Sequence, residues 1–214
     1  MKKRTQKALT IILAVFVTLS MVGSAAFSLF YPGFNVPPSS PATPSSSAEA
    51  AAAAEVQYHQ AQSQVQDLLQ KLKSQPDDVT LKEQLANAYY DLGVTATRSA
   101  PAEARGDFTK AVQGYQEILK VKKDTNLVLD LATAALYAGQ NGLAEKSYQE
   151  ALAQKPDSFD VLYSYGLFLA QAKQDYAGAL KLWQKALAED PGNANAAQLK
   201  KLIAQVEGLQ KGKP

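Results

Sequence analysis

The stretch "GLAEKSYQEALAQKPD" (residues 142–157) places Ala144, Tyr148, Ala151 and Pro156 at offsets of four, three and five. "YAGALKLWQKALAEDPG" (residues 176–192) does the same with Ala179, Trp183, Ala186 and Pro191. Small residues at this spacing share one face of a helix and let a second helix backbone come close. A ring between them fills the space to the next layer. Proline has no N–H to continue the ladder, so it stops the helix. The pattern is that of a scaffold and carries no reactive group.

The preceding residues extend the match. "LVLDLATAALYAGQ" supplies Leu131, Ala132, Ala135 and Gly139, and "VLYSYGLFLA" supplies Tyr165, Gly166 and Leu169. A diverged copy lies upstream, with Leu85, Ala86, Tyr89 and Gly93 followed by Ala111, Tyr115 and Ile118. The equivalent alanines 111, 144 and 179 are 33 and 35 positions apart. Each unit reads as two amphipathic helices joined by a tight turn, with Asp157 and Asn193 expected to cap the helices that follow. Tyr89, Tyr115, Tyr148 and Trp183 are expected in the core.

A period of about 34 residues with this pattern resembles the tetratricopeptide repeat family, in its membrane-anchored bacterial form. The resemblance covers residues 76–193 and implies an all-α fold, an α-solenoid of helical hairpins. Three units are expected, at 76–124, 125–158 and 159–193. The first departs from the pattern by the insertion "VTATRSAPAEARG" (residues 94–106), and Lys123 replaces the terminal proline. A loop over 94–100 and a second helix starting near Pro101 are predicted there. The third copy has an additional residue in its turn. Residues 194–214 form a capping helix and tail, with Leu199, Leu202, Ile203 and Val206 on one face.

Ahead of the repeats, residues 48–74 read as a helix with Tyr58, Ala61, Val65, Leu68 and Leu72 in one stripe. That stripe suits packing on the next helix, and it also suits pairing with a second copy of the chain. "PGFNVPPSSPATPSSS" (residues 32–47) holds half the prolines and no charge, a composition for a spacer. Residues 8–31 carry no charge and follow Lys2, Lys3, Arg4 and Lys7 in the basic segment 1–7. As a helix this run is roughly 36 Å long, enough to cross a bilayer core. No Lys or Arg follows until Lys71. The asymmetry predicts a single-pass transmembrane signal-anchor with a cytoplasmic N-terminus and an extracytoplasmic repeat domain in the cell membrane. Cleavage within "GSAAF" (residues 23–27), giving a secreted protein, is the alternative.

The net charge of +2 gives no argument for nucleic acid, and the absence of cysteine excludes disulfides and thiolate chemistry. His59 is the only histidine. Triads and metal sets lack their parts, so no enzyme, cofactor or metal is expected. "GQNGLAEKS" (residues 139–147) lacks the spacing of a phosphate loop.

The resemblance implies a concave groove that binds a protein or peptide partner. Carried onto this sequence, its groove positions are Glu83, Asn87, Tyr90 and Asp91 in the first copy. In the second they are Asn126, Leu129, Asp130, Thr133 and Tyr137, and in the third Tyr163, Leu167 and Gln171. Family members that clamp a carboxylate use lysine and arginine in the groove. Only Asn87 matches that set and Glu83 opposes it, so a neutral or basic partner segment is expected. The resemblance also implies a scaffold in assembly of secreted or envelope complexes, including cytochrome maturation. A self-associating membrane protein is the alternative.

Overall fold

The computed structural model describes residues 47–211. The basic segment 1–7, the expected span 8–31, the cleavage site within it and nearly all of the spacer lie outside those residues. The described chain folds as α1 (Ser47–Ser74), α2 (Val79–Ser99), α3 (Pro101–Leu119), α4 (Thr125–Tyr137), α5 (Asn141–Gln154), α6 (Phe159–Phe168), α7 (Tyr176–Glu189) and α8 (Ala196–Lys211). None of these helices is long and apolar enough to cross a membrane. Three hairpins, α2–α3, α4–α5 and α6–α7, stack in order, with α1 packed on α2 and α8 on α7.

The stripe of α1 is buried within the chain. Tyr58, Ala61, Val65 and Leu68 are all covered and Leu72 is partly so, while residues 50–53 are exposed. The Tyr58 hydroxyl donates to Glu103 on α3. The face that suited a second copy is therefore already occupied. His59, exposed on α1, is hydrogen-bonded to Gln62 at 3.1 Å and lies 3.9 Å from Glu55.

The loop predicted over 94–100 is not formed. Helix α2 continues to Ser99, and Ala100 alone makes the turn (φ −143°, ψ 65°) before Pro101 opens α3. The first hairpin is thus longer than the others. Burial of small residues explains it: Leu92, Gly93 and Ala96 face Ala104 and Phe108, all buried. A Cβ on Gly93 would lie 2.9 Å from the Phe108 ring, so only glycine allows this approach. Proline excludes the α conformation from the residue before it, which fixes the break at Ala100. From the extended part, Arg105 Nε donates to the Ala138 carbonyl at 2.9 Å, placing a cation at the C-terminus of α4.

Helix ends follow local chemistry. Asp78 Oδ1 accepts from the Thr80 and Leu81 amides, and Asp124 Oδ1 from that of Asn126. Gly139, with φ +74°, turns the chain out of α4 while the Gln140 amide reaches back to the Ala135 carbonyl. Asp157 does not cap α6 as expected. Ser158 holds the cap position, and Asp157 pairs with Lys185 on α7 at 2.8 Å. That ion pair links one hairpin turn to the next helix and takes the carboxylate away from the helix end. Asn193 Oδ1 accepts from the Asn195 amide at 3.0 Å, just ahead of α8.

The additional residue of the third copy lies in a π-helical turn, Leu169–Lys173, at the end of α6. Gln174 follows in the left-handed region (φ 56°) and Asp175 then caps α7 through the Gly178 amide. A π turn holds one more residue than an α turn over the same rise. Ala179 and Trp183 consequently face inward despite the longer connection, both fully buried.

Candidate functional site

The rings of the second helices set the floor. Tyr115, Tyr148 and Trp183, from α3, α5 and α7, are buried as expected. Tyr89 is only partly buried, with Lys110 Nζ 5.1 Å above its ring, so it belongs to the edge of the core. Each buried ring reaches through to a first helix. Tyr115 donates to Asn87 Oδ1 at 2.7 Å, and the Tyr148 hydroxyl lies 3.1 Å from Thr133 Oγ1. Trp183 Nε1, lacking a hydroxyl at that depth, donates to the Tyr163 carbonyl at 3.0 Å. The corresponding side chain on α6 is then Leu167. Asn87 and Thr133 answer the hydroxyls beneath them, which gives them a structural duty that sequence reasoning missed. The signal was present: polar residues stand above tyrosine and leucine stands above tryptophan.

Other expected groove residues are also engaged internally. Glu83 accepts from Lys122 Nζ at 2.9 Å, and Lys122 lies 3.4 Å from Asp124. Glu83 and Asp124 together hold the Lys122 ammonium above its usual value, the hydrogen bond to Glu83 being the main cause. Asn126 accepts from Lys155 at 2.9 Å and is exposed. Leu129 packs partly buried against the core, and Leu167 and Gln171 are partly exposed along α6 and its π turn.

The structure gathers an aromatic group on α2, α3 and α4. Tyr90 meets Phe108 edge-on at 5.5 Å between ring centroids and Tyr137 at 6.3 Å, and Phe108 stacks on Tyr137 at 5.1 Å. Phe108 was absent from the sequence-based set because it comes from a second helix, at the insertion. Tyr163 stacks on Phe159 at 6.1 Å. Burial pushes the Tyr90 hydroxyl well up and that of Tyr163 to about 12. Neither titrates near neutral pH.

Two carboxylates of the expected groove differ from Glu83. Asp91 and Asp130 are partly buried, and neither forms an ion pair or a side-chain hydrogen bond with the described residues. Burial pushes each up to about 7 from 3.8. Asp124 and Glu83 add to the effect at Asp130. Asp160, on α6, is raised by burial and by Asp190. The face of the first helices therefore combines tyrosine rings with anionic groups; of the cations beside it, Lys122 is committed to Glu83 and Asp124, and Lys155 to Asn126. Among the described residues no group of three or more metal-ligating side chains occurs.

Residues 129–194 match the Tetratricopeptide repeat family. Among curated proteins no match was found. Solved structures similar to this chain include two. One is described as the crystal structure of MamA protein, at 16% identity and a TM-score of 0.42, covering 72% of this chain and 86% of that one. The other is MamA 41-end from Desulfovibrio magneticus RS-1, at 16% identity and a TM-score of 0.40, covering 73% and 97%. No catalytic family is indicated. The family match falls on α4 to α7, whose small residues meet between paired helices and whose rings seat between hairpins, and this part of the chain is built as tetratricopeptide repeats.

Proposed function

We propose that this protein is a membrane-anchored, extracytoplasmic scaffold that holds a segment of another polypeptide along the first helices of its hairpins. The observation that carries the reading is the row of partly exposed tyrosines, Tyr90, Tyr137 and Tyr163, one on each successive first helix. Tyrosine offers large contact area with few rotatable bonds, which suits a recognition surface. Tetratricopeptide repeats serve as protein-interaction scaffolds, and that class of function agrees with a face made of rings rather than of reactive groups. The anchor rests on the apolar run 8–31 behind its basic segment, and the outward orientation on the charge asymmetry. Assembly of secreted or envelope complexes is the role we assign to such a scaffold. Self-association through α1 is disfavoured because its stripe is covered by α2 and α3.

A photocrosslinking residue at Tyr163 or Tyr137, compared with one at the exposed Gln149 on α5, tests the groove. Partner adducts from the first-helix positions alone are expected. Adducts only from Gln149 would reverse the assignment. Membrane fractionation and intact mass of the mature chain test the anchor: a soluble product lacking about the first 26 residues would replace it with a secreted protein.

A further inference from the structure

We infer that the segment held in this groove is basic, and that its lysine or arginine side chains are received at two places, Asp91 beside Tyr90, and Asp130 beside Glu83 and Asp124. This rests on the proposed groove function and specifies the partner's chemistry. The grounds are geometric. Helices α2 and α4 each carry one carboxylate on this face with no cation or donor side chain of the chain's described part paired to it. By contrast, Glu83 is paired with Lys122, Asp107 with Lys110, Glu145 with Lys173 and Asp157 with Lys185.

Beside Asp91 lies the ring of Tyr90, whose own contacts are the rings of Phe108 and Tyr137; its hydroxyl makes no hydrogen bond within the described residues. A basic side chain with its stem on these rings and its charge at the carboxylate would satisfy both groups. An acidic or C-terminal carboxylate would meet like charge at Asp91 and at Asp130.

The same grouping predicts proton release on binding. The groups facing Asp130 are Glu83 from α2, Asp124 at the start of α4 and Tyr148 from α5, with Lys122 bound to the first two. Asp91 is faced by Tyr90, whose ring in turn meets Tyr137 from α4. Near pH 7 both aspartates hold part of a proton, and an arriving cation displaces it. The only histidine lies on α1, outside this face.

The test uses the full-length chain in detergent and three labelled, extended peptides with lysine, glutamine or glutamate at every third position, read by fluorescence anisotropy. The lysine peptide should bind at least about tenfold more tightly than the glutamine peptide, and the glutamate peptide should not bind. Asp91→Asn with Asp130→Asn should remove that tenfold preference, while circular dichroism shows the helices intact. Calorimetry in buffers of different ionisation enthalpy should show protons released with the lysine peptide. Equal binding of lysine and glutamine peptides, lost in Tyr90→Ala with Tyr163→Ala, would keep the groove and overturn the basic partner. If no peptide binds, the inference falls, and the crosslinking result then decides whether the groove reading falls with it. Displacement of the lysine peptide by millimolar spermidine at equal charge would assign the sites to small cations and also overturn it.

Discussion

Asp130→Asn should make the protein more stable at pH 8 and leave it unchanged in acid. Burial, together with Asp124 and Glu83, raises this carboxyl to about 7 from 3.8. Below pH 3.8 the folded and unfolded chains both carry the proton, and the group contributes nothing. As pH rises from 3.8 to about 7, the unfolded chain has released the proton and the folded chain retains it, so stability falls. Above about 7 both are ionised and the loss is complete and constant. The full displacement corresponds to about 4 kcal/mol. Partial solvent contact reduces this to about 2 kcal/mol as a working value. Asparagine copies the neutral form. Urea unfolding followed by helical circular dichroism should therefore show a gain of about 2–4 kcal/mol at pH 8 that shrinks towards zero near about pH 3.5. Glu83→Gln should behave differently, because it removes the partner of Lys122. A gain for Asp130→Asn that is constant across pH, or a loss at pH 8, would refute the assignment of an ionised, unanswered carboxylate.

The remaining expectations concern the seams of the stack. Trp183→Ala should cost about 3–5 kcal/mol in urea unfolding, since the indole is fully buried and its Nε1 is bonded to Tyr163; a cost below about 1 kcal/mol would contradict that packing. Gly166→Ala should destabilise by about 1–3 kcal/mol, because a Cβ there would overlap the Trp183 ring, and pairing it with Trp183→Leu should recover part of the loss in a double-mutant cycle. Tyr148→Phe should cost about 1 kcal/mol, and Thr133→Val should add little to it if the two hydroxyls serve one another.

The hairpins were legible because their determinants are local. Ala132, Ala144 and Ala151 announce close helix approach by spacing alone, and Pro156 and Pro191 fall just beyond α5 and α7. The extension of the first hairpin was not read, although Gly93, Ala96, Ala104 and Phe108 hold the pattern for it. Those residues reward burial only once two helices already lie side by side, and β-branched Val94, Thr95 and Thr97 weaken the helical signal. Asp157 looked like a cap by position, but a lysine on α7 claims it, which is a tertiary fact. Of the groove residues, Tyr90, Tyr137 and Tyr163 were found by position in the repeat. That Asn87 and Thr133 serve the rings beneath them required knowing the depth each hydroxyl reaches. That Asp91 and Asp130 lack partners depended on where Lys122 turns, and nothing in the linear order of charges indicates this.

The π-helical turn at Leu169–Lys173 has a consequence for how this molecule can change over generations. An insertion inside an ordinary helix rotates everything after it and would swing Trp183 off Gly166. Here the surplus is pooled in a bulge that ends at Gln174, and α7 starts afresh at its own cap. The junction acts as a slack point, where length can be gained or shed while the tiers on either side keep their alignment.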